Sequence, residues 1–131
     1  MIKFNLNILQ TCTSTNDVAI KKAKHGLPEG SSYLAYEQTS GRGRNNNQWE
    51  SKQGNLFLST IFRPTMSKVN WHQLSLIISL SIIETLIALG LDKSKIELKW
   101  PNDVLVQKNK ISGIQNAVKS FLEGIFRRDF F

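Results

Sequence analysis

A single cysteine, Cys12, is all that the 131-residue chain contains. It cannot close an internal disulfide, and without a second cysteine it cannot build a zinc knuckle, so neither crosslink nor structural metal frames the fold. A reducing cytoplasm fits that composition. Histidine is nearly as scarce, with only His25 and His72. Neither forms a nucleophile constellation with Cys12, so Cys12 reads as a small buried residue and the histidines as surface or cap residues. Long apolar runs are missing too. The N-terminus alternates apolar and polar residues instead of setting a charged start before a continuous apolar stretch, which argues against a signal peptide. The most apolar segment, residues 74–89, is broken by Ser75, Ser79, Ser81, Glu84 and Thr85. It falls short of the roughly 20 apolar residues of a membrane span, so we expect a core helix and no membrane partner.

What is present suits one domain. A chain of this length with 40% hydrophobic residues can bury a real core but not comfortably two, and a single folded unit is expected. The formal net charge of +7 is unevenly placed: residues 41–70 hold Arg42, Arg44, Lys52, Arg63 and Lys68 against Glu50 alone. Such an excess concentrates phosphate-bearing partners, whether nucleotide, nucleic acid or acidic protein.

Periodicity predicts a strand over residues 2–9, followed by Thr13 to Asp17 as helix-capping side chains and a short helix ending near Gly26. Further strands are expected over 32–36, 55–62, 96–100, 104–107 and 110–114. Residues 71–89 read as a long helix whose apolar stripe is Leu76, Leu80, Ile83 and Ile87, with Gly90 as terminator. Strands and helices interleave without a strict repeat, so the fold class is α+β, a mixed β-sheet packed by helices.

The chemistry concentrates in residues 38–49. Gly41 and Gly43 let the backbone adopt positive φ and approach a ligand closely, while Arg42 and Arg44 offer fork-shaped donors for phosphate or carboxylate oxygens. No Gly-Lys-Ser/Thr follows at P-loop spacing, and the third glycine of a dinucleotide fingerprint is missing. Composition alone leaves three readings open: an anion clamp, a solvated loop, or a basic patch gripping nucleic acid.

Taken together and in order, Ser14-Thr15-Asn16, Gln38, Gly41-Arg42-Gly43-Arg44 with Trp49, Lys99-Trp100-Pro101-Asn102-Asp103 and Lys110-Ile111-Ser112-Gly113-Ile114 resemble the signature blocks of biotin–protein ligases. The resemblance spans residues 8–114. It implies the biotin/lipoate ligase-like catalytic fold, with ATP and biotin as substrates and Mg2+ for the nucleotide. It also implies a biotin carboxyl-carrier domain as acceptor. By the same likeness, Arg42 and Arg44 belong to the loop that closes over the adenylate. Lys110 holds carboxylate against phosphate, and with Arg42 it forms the catalytic pair. Ser14, Thr15, Asn16, Gln38, Gly41 and Gly113 line the biotin site. Trp49 and Asn102 join the nucleotide site, and Asp103 is the candidate metal ligand. Trp100 is assigned to the core.

The chain also departs from that family. Asn46-Asn47-Gln48 stands where relatives continue with Gly-Arg, and the Gly-x-Gly-x-Asn segment that follows the last block in relatives does not appear. Residues 1–114 are therefore read as a partial catalytic domain, incomplete at its C-terminus. Residues 115–131 read as a divergent tail, helical by the spacing of Ala117, Val118, Phe121, Leu122 and Ile125. A sheet lacking its later strands exposes an edge, which favours self-association into a homodimer. Because the match begins so near Met1, no DNA-binding segment and no repressor role are expected.

Overall fold

The computed structural model describes residues 1–43, 45, 47–64, 73–116, 118–122 and 125–129; the expectations for Arg44, Trp71, His72 and Ala117 lie outside the described residues. The chain groups into two compact units, Met1–Thr65 and Met66–Phe131. Each has its own three-stranded sheet, and the α+β class of mixed sheets with helices holds.

In the first unit β1 (Asn5–Cys12) runs parallel to β2 (Ser31–Gln38), and β3 (Phe57–Thr60) runs antiparallel to β2. A parallel pair requires a crossover, which α1 (Thr15–Lys24) supplies. Alternation along β2 buries Tyr33 and Ala35. Tyr33 packs with Ala19 of α1 and Ile61, and Val18, Ala23 and Leu27 close around them. The far end of α1 is tied by Arg63, whose Nη2 donates to the carbonyls of Ala23 at 3.3 Å and Leu27 at 2.9 Å. β1 lies three residues later than its apolar alternation predicts. Leu6 and Ile8 are exposed, and pairing continues through Thr11 and Cys12 opposite Glu37 and Gln38, because ladder bonds are made by backbone whatever the side chains.

In the second unit α2 (Gln73–Ala88) precedes a 3₁₀ turn at Lys93–Lys95, whose N-cap Asp92 accepts from the Ser94 N–H. Those bonds to Ser94 hold the Asp92 carboxyl below its ordinary pKa. β4 (Ile96–Lys99), β5 (Asp103–Val106) and β6 (Asn109–Gly113) form an antiparallel meander. The β5–β6 turn places Gln107 at φ 49° and Lys108 at φ 68°, the two positive values that a type I′ hairpin turn demands. β7 (Val118–Leu122) and β8 (Ile125–Asp129) pair antiparallel, which corrects the helix expected for the tail. Its helical spacing covers too short a window to outweigh the β-branched and aromatic content of Val118, Phe121, Ile125 and Phe126.

The stripe expected on α2 is also corrected. Its buried positions are Ser75 and Ser79, whereas Leu80 and Ile87 are exposed. The helix is apolar nearly all round, so periodicity could not orient it. Size decides instead: two serines one turn apart allow close approach, and the Ser79 Oγ donates to the Ser75 carbonyl at 2.8 Å, so the hydroxyl of the fully buried Ser79 is matched. α2 contacts β4 and β5, where Val104 is fully buried. No helix among the described residues is long and apolar enough to cross a membrane. Overpacking by Ser79→Leu is expected to destabilise by about 1–3 kcal/mol, and Leu80→Ser by less than about 1 kcal/mol. Urea unfolding of the two variants checks which face is buried.

Candidate functional site

The first unit gathers a buried polar cluster where α1, β2 and the segment after the arginine loop meet. Ser14 is the N-cap of α1 but makes no side-chain cap bond. Gln38, at the end of β2, takes over that role, its Oε1 accepting from the Thr15 N–H at 2.8 Å and the Thr15 Oγ1 at 3.1 Å. On its other side the Gln38 Nε2 donates to the Ser51 Oγ at 2.9 Å, and Ser51 donates to the Trp49 carbonyl at 3.1 Å. The Thr15 hydroxyl also lies 2.9 Å from the Ser59 Oγ of β3. Ser14, Thr15 and Ser51 are buried, and Asn16 is half-buried in the first turn of α1.

The loop bearing Arg42 is a short hairpin. Trp49 N–H donates to the Gly41 carbonyl at 2.9 Å, Gly43 N–H donates to Asn47 at 2.7 Å, and Arg42 bridges Gln48. Positive φ, expected of the glycines, falls instead on Asn45 at 56°. Gly41 is needed for a different reason: a Cβ there would sit 2.2 Å from the Ser51 Oγ and 2.8 Å from the Trp49 carbonyl. Gly43 has ordinary room, its nearest neighbours 3.6 Å away. The Arg42 Nη2 donates to the Asp17 carboxylate in the first turn of α1. Cys12 is half-buried nearby, and burial together with the Asp17 charge pushes its thiol above the ordinary value, consistent with an unreactive side chain. Trp49 is 40% exposed, whereas Trp100, assigned to the core, is 77% exposed. A tryptophan beside a proline turn carries no facing signal of its own.

The other predicted residues lie in the second unit. Lys110 Nζ reaches the Asp103 Oδ1 at 2.8 Å across β5 and β6, with side chains 40% and 16% exposed. Gly113 makes room for that pair, since a Cβ there would meet the Lys110 Nζ at 3.3 Å and the Asp103 Oδ1 at 3.5 Å. Asn102 laces its turn to the end of β6: its Nδ2 donates to the Ile114 carbonyl, and the Ile114 N–H donates to the Asn102 carbonyl, each at 2.9 Å. Sequence reasoning missed Ser51, Ser59 and the pairing role of Asp17. Only Ser59 had a signal, the strand alternation that places it two residues from buried Phe57 on the same face.

Comparison with known proteins bears on this arrangement. The biotin/lipoate A/B protein ligase family model matches residues 8–125. The bifunctional ligase/repressor BirA of Bacillus subtilis is 33% identical over 124 residues, covering 86% of this chain and 37% of that one. A biotin--[acetyl-CoA-carboxylase] ligase of Paracoccus denitrificans is 36% identical, covering 82% and 44% respectively. Among solved structures, the Leishmania major biotin protein ligase with biotin aligns with a TM-score of 0.76 at 29% identity over 88% of this chain and 52% of that one. The Aquifex aeolicus enzyme with biotin and ATP aligns with a TM-score of 0.73 at 31% identity, over 93% and 49%. The chain thus spans less than half of these curated relatives.

Gly41→Ala is expected to force Ser51 away from Gln38 and destabilise by about 1–3 kcal/mol, the range for a buried polar group left unmatched. Gly43→Ala should stay within about 0.5 kcal/mol. Thermal unfolding of both variants checks the contrast.

Proposed function

Because this chain belongs to the biotin/lipoate A/B protein ligase family, we propose that it binds biotin and ATP and joins them as biotinyl-5′-adenylate. The biotinyl group then passes to a lysine of a biotin carboxyl-carrier domain. In the first step a biotin carboxylate oxygen bonds to the α-phosphorus, and the bond to pyrophosphate breaks. In the second the lysine amine attacks the acyl carbon, AMP leaves with the electron pair, and the amine gives up its proton. We place the reaction in a reducing cytoplasm, on the single half-buried cysteine.

One observation carries this reading: Thr15, Gln38 and Gly41 meet in one buried polar cluster at the foot of the Arg42 hairpin. A ureido ring needs donors and acceptors that would otherwise be buried unmatched, and the hydroxyls and carboxamide here can satisfy both. Arg42 and Arg44 supply the guanidinium groups that bind phosphoryl oxygens, and Trp49 packs against the bound adenylate. Lys110 offsets the repulsion between the two reacting anions and stabilises charge developing on the phosphoryl oxygens. Asp103 orients the Lys110 ammonium, and Asn102 holds the turn that positions Asp103.

Magnesium fits the described residues poorly as a protein-held ion. Asp103 is engaged by Lys110, and no group of three or more His, Cys, Asp or Glu side chains gathers among the described residues. No step is routed through it; when present it is a ligand of the nucleotide's phosphates.

Biotin and α-labelled ATP are expected to yield labelled biotinyl-adenylate. Lys110→Ala should lower its formation about 100-fold or more, the usual loss on removing one transition-state donor, and Asp103→Asn should lower it less. If the chain forms none where a longer relative does under the same conditions, the activity reading falls. Binding that ignores biotin and collapses with salt would instead favour a nucleic-acid partner.

A further inference from the structure

The backbone and the side chain of Arg42 are held in different ways. Its backbone is pinned by the hairpin bonds of Gly41 to Trp49 and of Gly43 to Asn47. Its guanidinium is held by Asp17, across 25 residues of sequence. Both side chains of that pair are substantially exposed, Arg42 at 44% and Asp17 at 40%. Water and salt screen an exposed pair, so it is worth at most about fivefold in an equilibrium. A phosphoryl group can accept two hydrogen bonds from one guanidinium and brings at least one full negative charge, which makes it a stronger partner than a solvated carboxylate. Asp17 also tolerates losing its partner. It sits in the first turn of α1, where the positive end of the helix dipole stabilises a carboxylate, and its exposure means that no buried charge is stranded.

We infer that Asp17 is a place-holder for the ligand's phosphoryl group, a specificity-determining residue that neutralises Arg42 until an anionic phosphate displaces it. This rests on the nucleotide binding proposed above. Before exchange, the carboxylate repels any anion that cannot engage Arg42. After exchange, the guanidinium turns to the ligand while the hairpin base stays fastened. A ligand without phosphate has nothing to offer Arg42 and leaves the pair intact. A static salt bridge that merely stiffens the hairpin predicts the reverse effect, because removing it would loosen the site and weaken binding.

The two are separated by Asp17→Asn in the full chain. Calorimetry with ATP should show binding tightened about two- to fivefold over the unsubstituted protein, with adenosine affinity unchanged and Asp17→Glu close to the original. Trypsin, which needs a free arginine side chain, should cut after Arg42 about two- to fivefold faster in Asp17→Asn without ligand. Weaker ATP binding by Asp17→Asn, or an unchanged cleavage rate, overturns the inference. Absence of ATP binding in both proteins overturns the nucleotide reading instead, and the cleavage rates still decide whether Asp17 restrains Arg42.

Discussion

The carboxamide of Gln38 is the interaction on which the first unit's polar site depends. It accepts from the first N–H of α1 and donates to Ser51 beyond the arginine hairpin, so one side chain sets the spacing between a helix start, a strand end and a loop base. A helix opens with backbone donors that lack intrahelical partners, and here a distant residue satisfies one of them in place of the N-cap. That frees the buried Ser14 from capping duty. The same bonds explain why Gly41 tolerates no side chain: Ser51 and the Trp49 carbonyl occupy the space a methyl group would need.

An analogous economy of space governs the second unit. The Lys110 ammonium lies between Asp103 and the bare backbone of Gly113, on neighbouring antiparallel strands. The ladder pairs Asp103 with Gly113 and Leu105 with Lys110, so the long lysine side chain reaches back along the strands to the carboxylate. Partial burial of Asp103 strengthens the attraction relative to a surface pair.

Much of this was legible before any coordinates. Short strand-forming runs bounded by turn residues located β2 to β6, and the ordered blocks named Thr15, Gln38, Arg42 and Lys110, all of which the structure places in polar or charged clusters. What remained illegible follows from specific physics. The facing of α2 could not be read because apolar residues surround the helix and only the small size of Ser75 and Ser79 selects a side. The tail misled because five apolar positions at helical spacing are equally compatible with a hairpin. The pairing of Asp103 with Lys110 was illegible because a carboxylate after a strand looks the same in sequence whether it faces a cation of its own chain or a bound ion. Ser51 had no signal, since its importance arises only when the hairpin returns the chain to Gln38.

The pairing of Arg42 with Asp17 also shapes how the molecule looks from afar. Two opposite charges in contact present a dipole instead of a monopole, and its field decays steeply with distance in salt water. The guanidinium therefore contributes little to long-range steering of an approaching anion. Its influence is reserved for the encounter complex, where it governs residence time more than the frequency of collision.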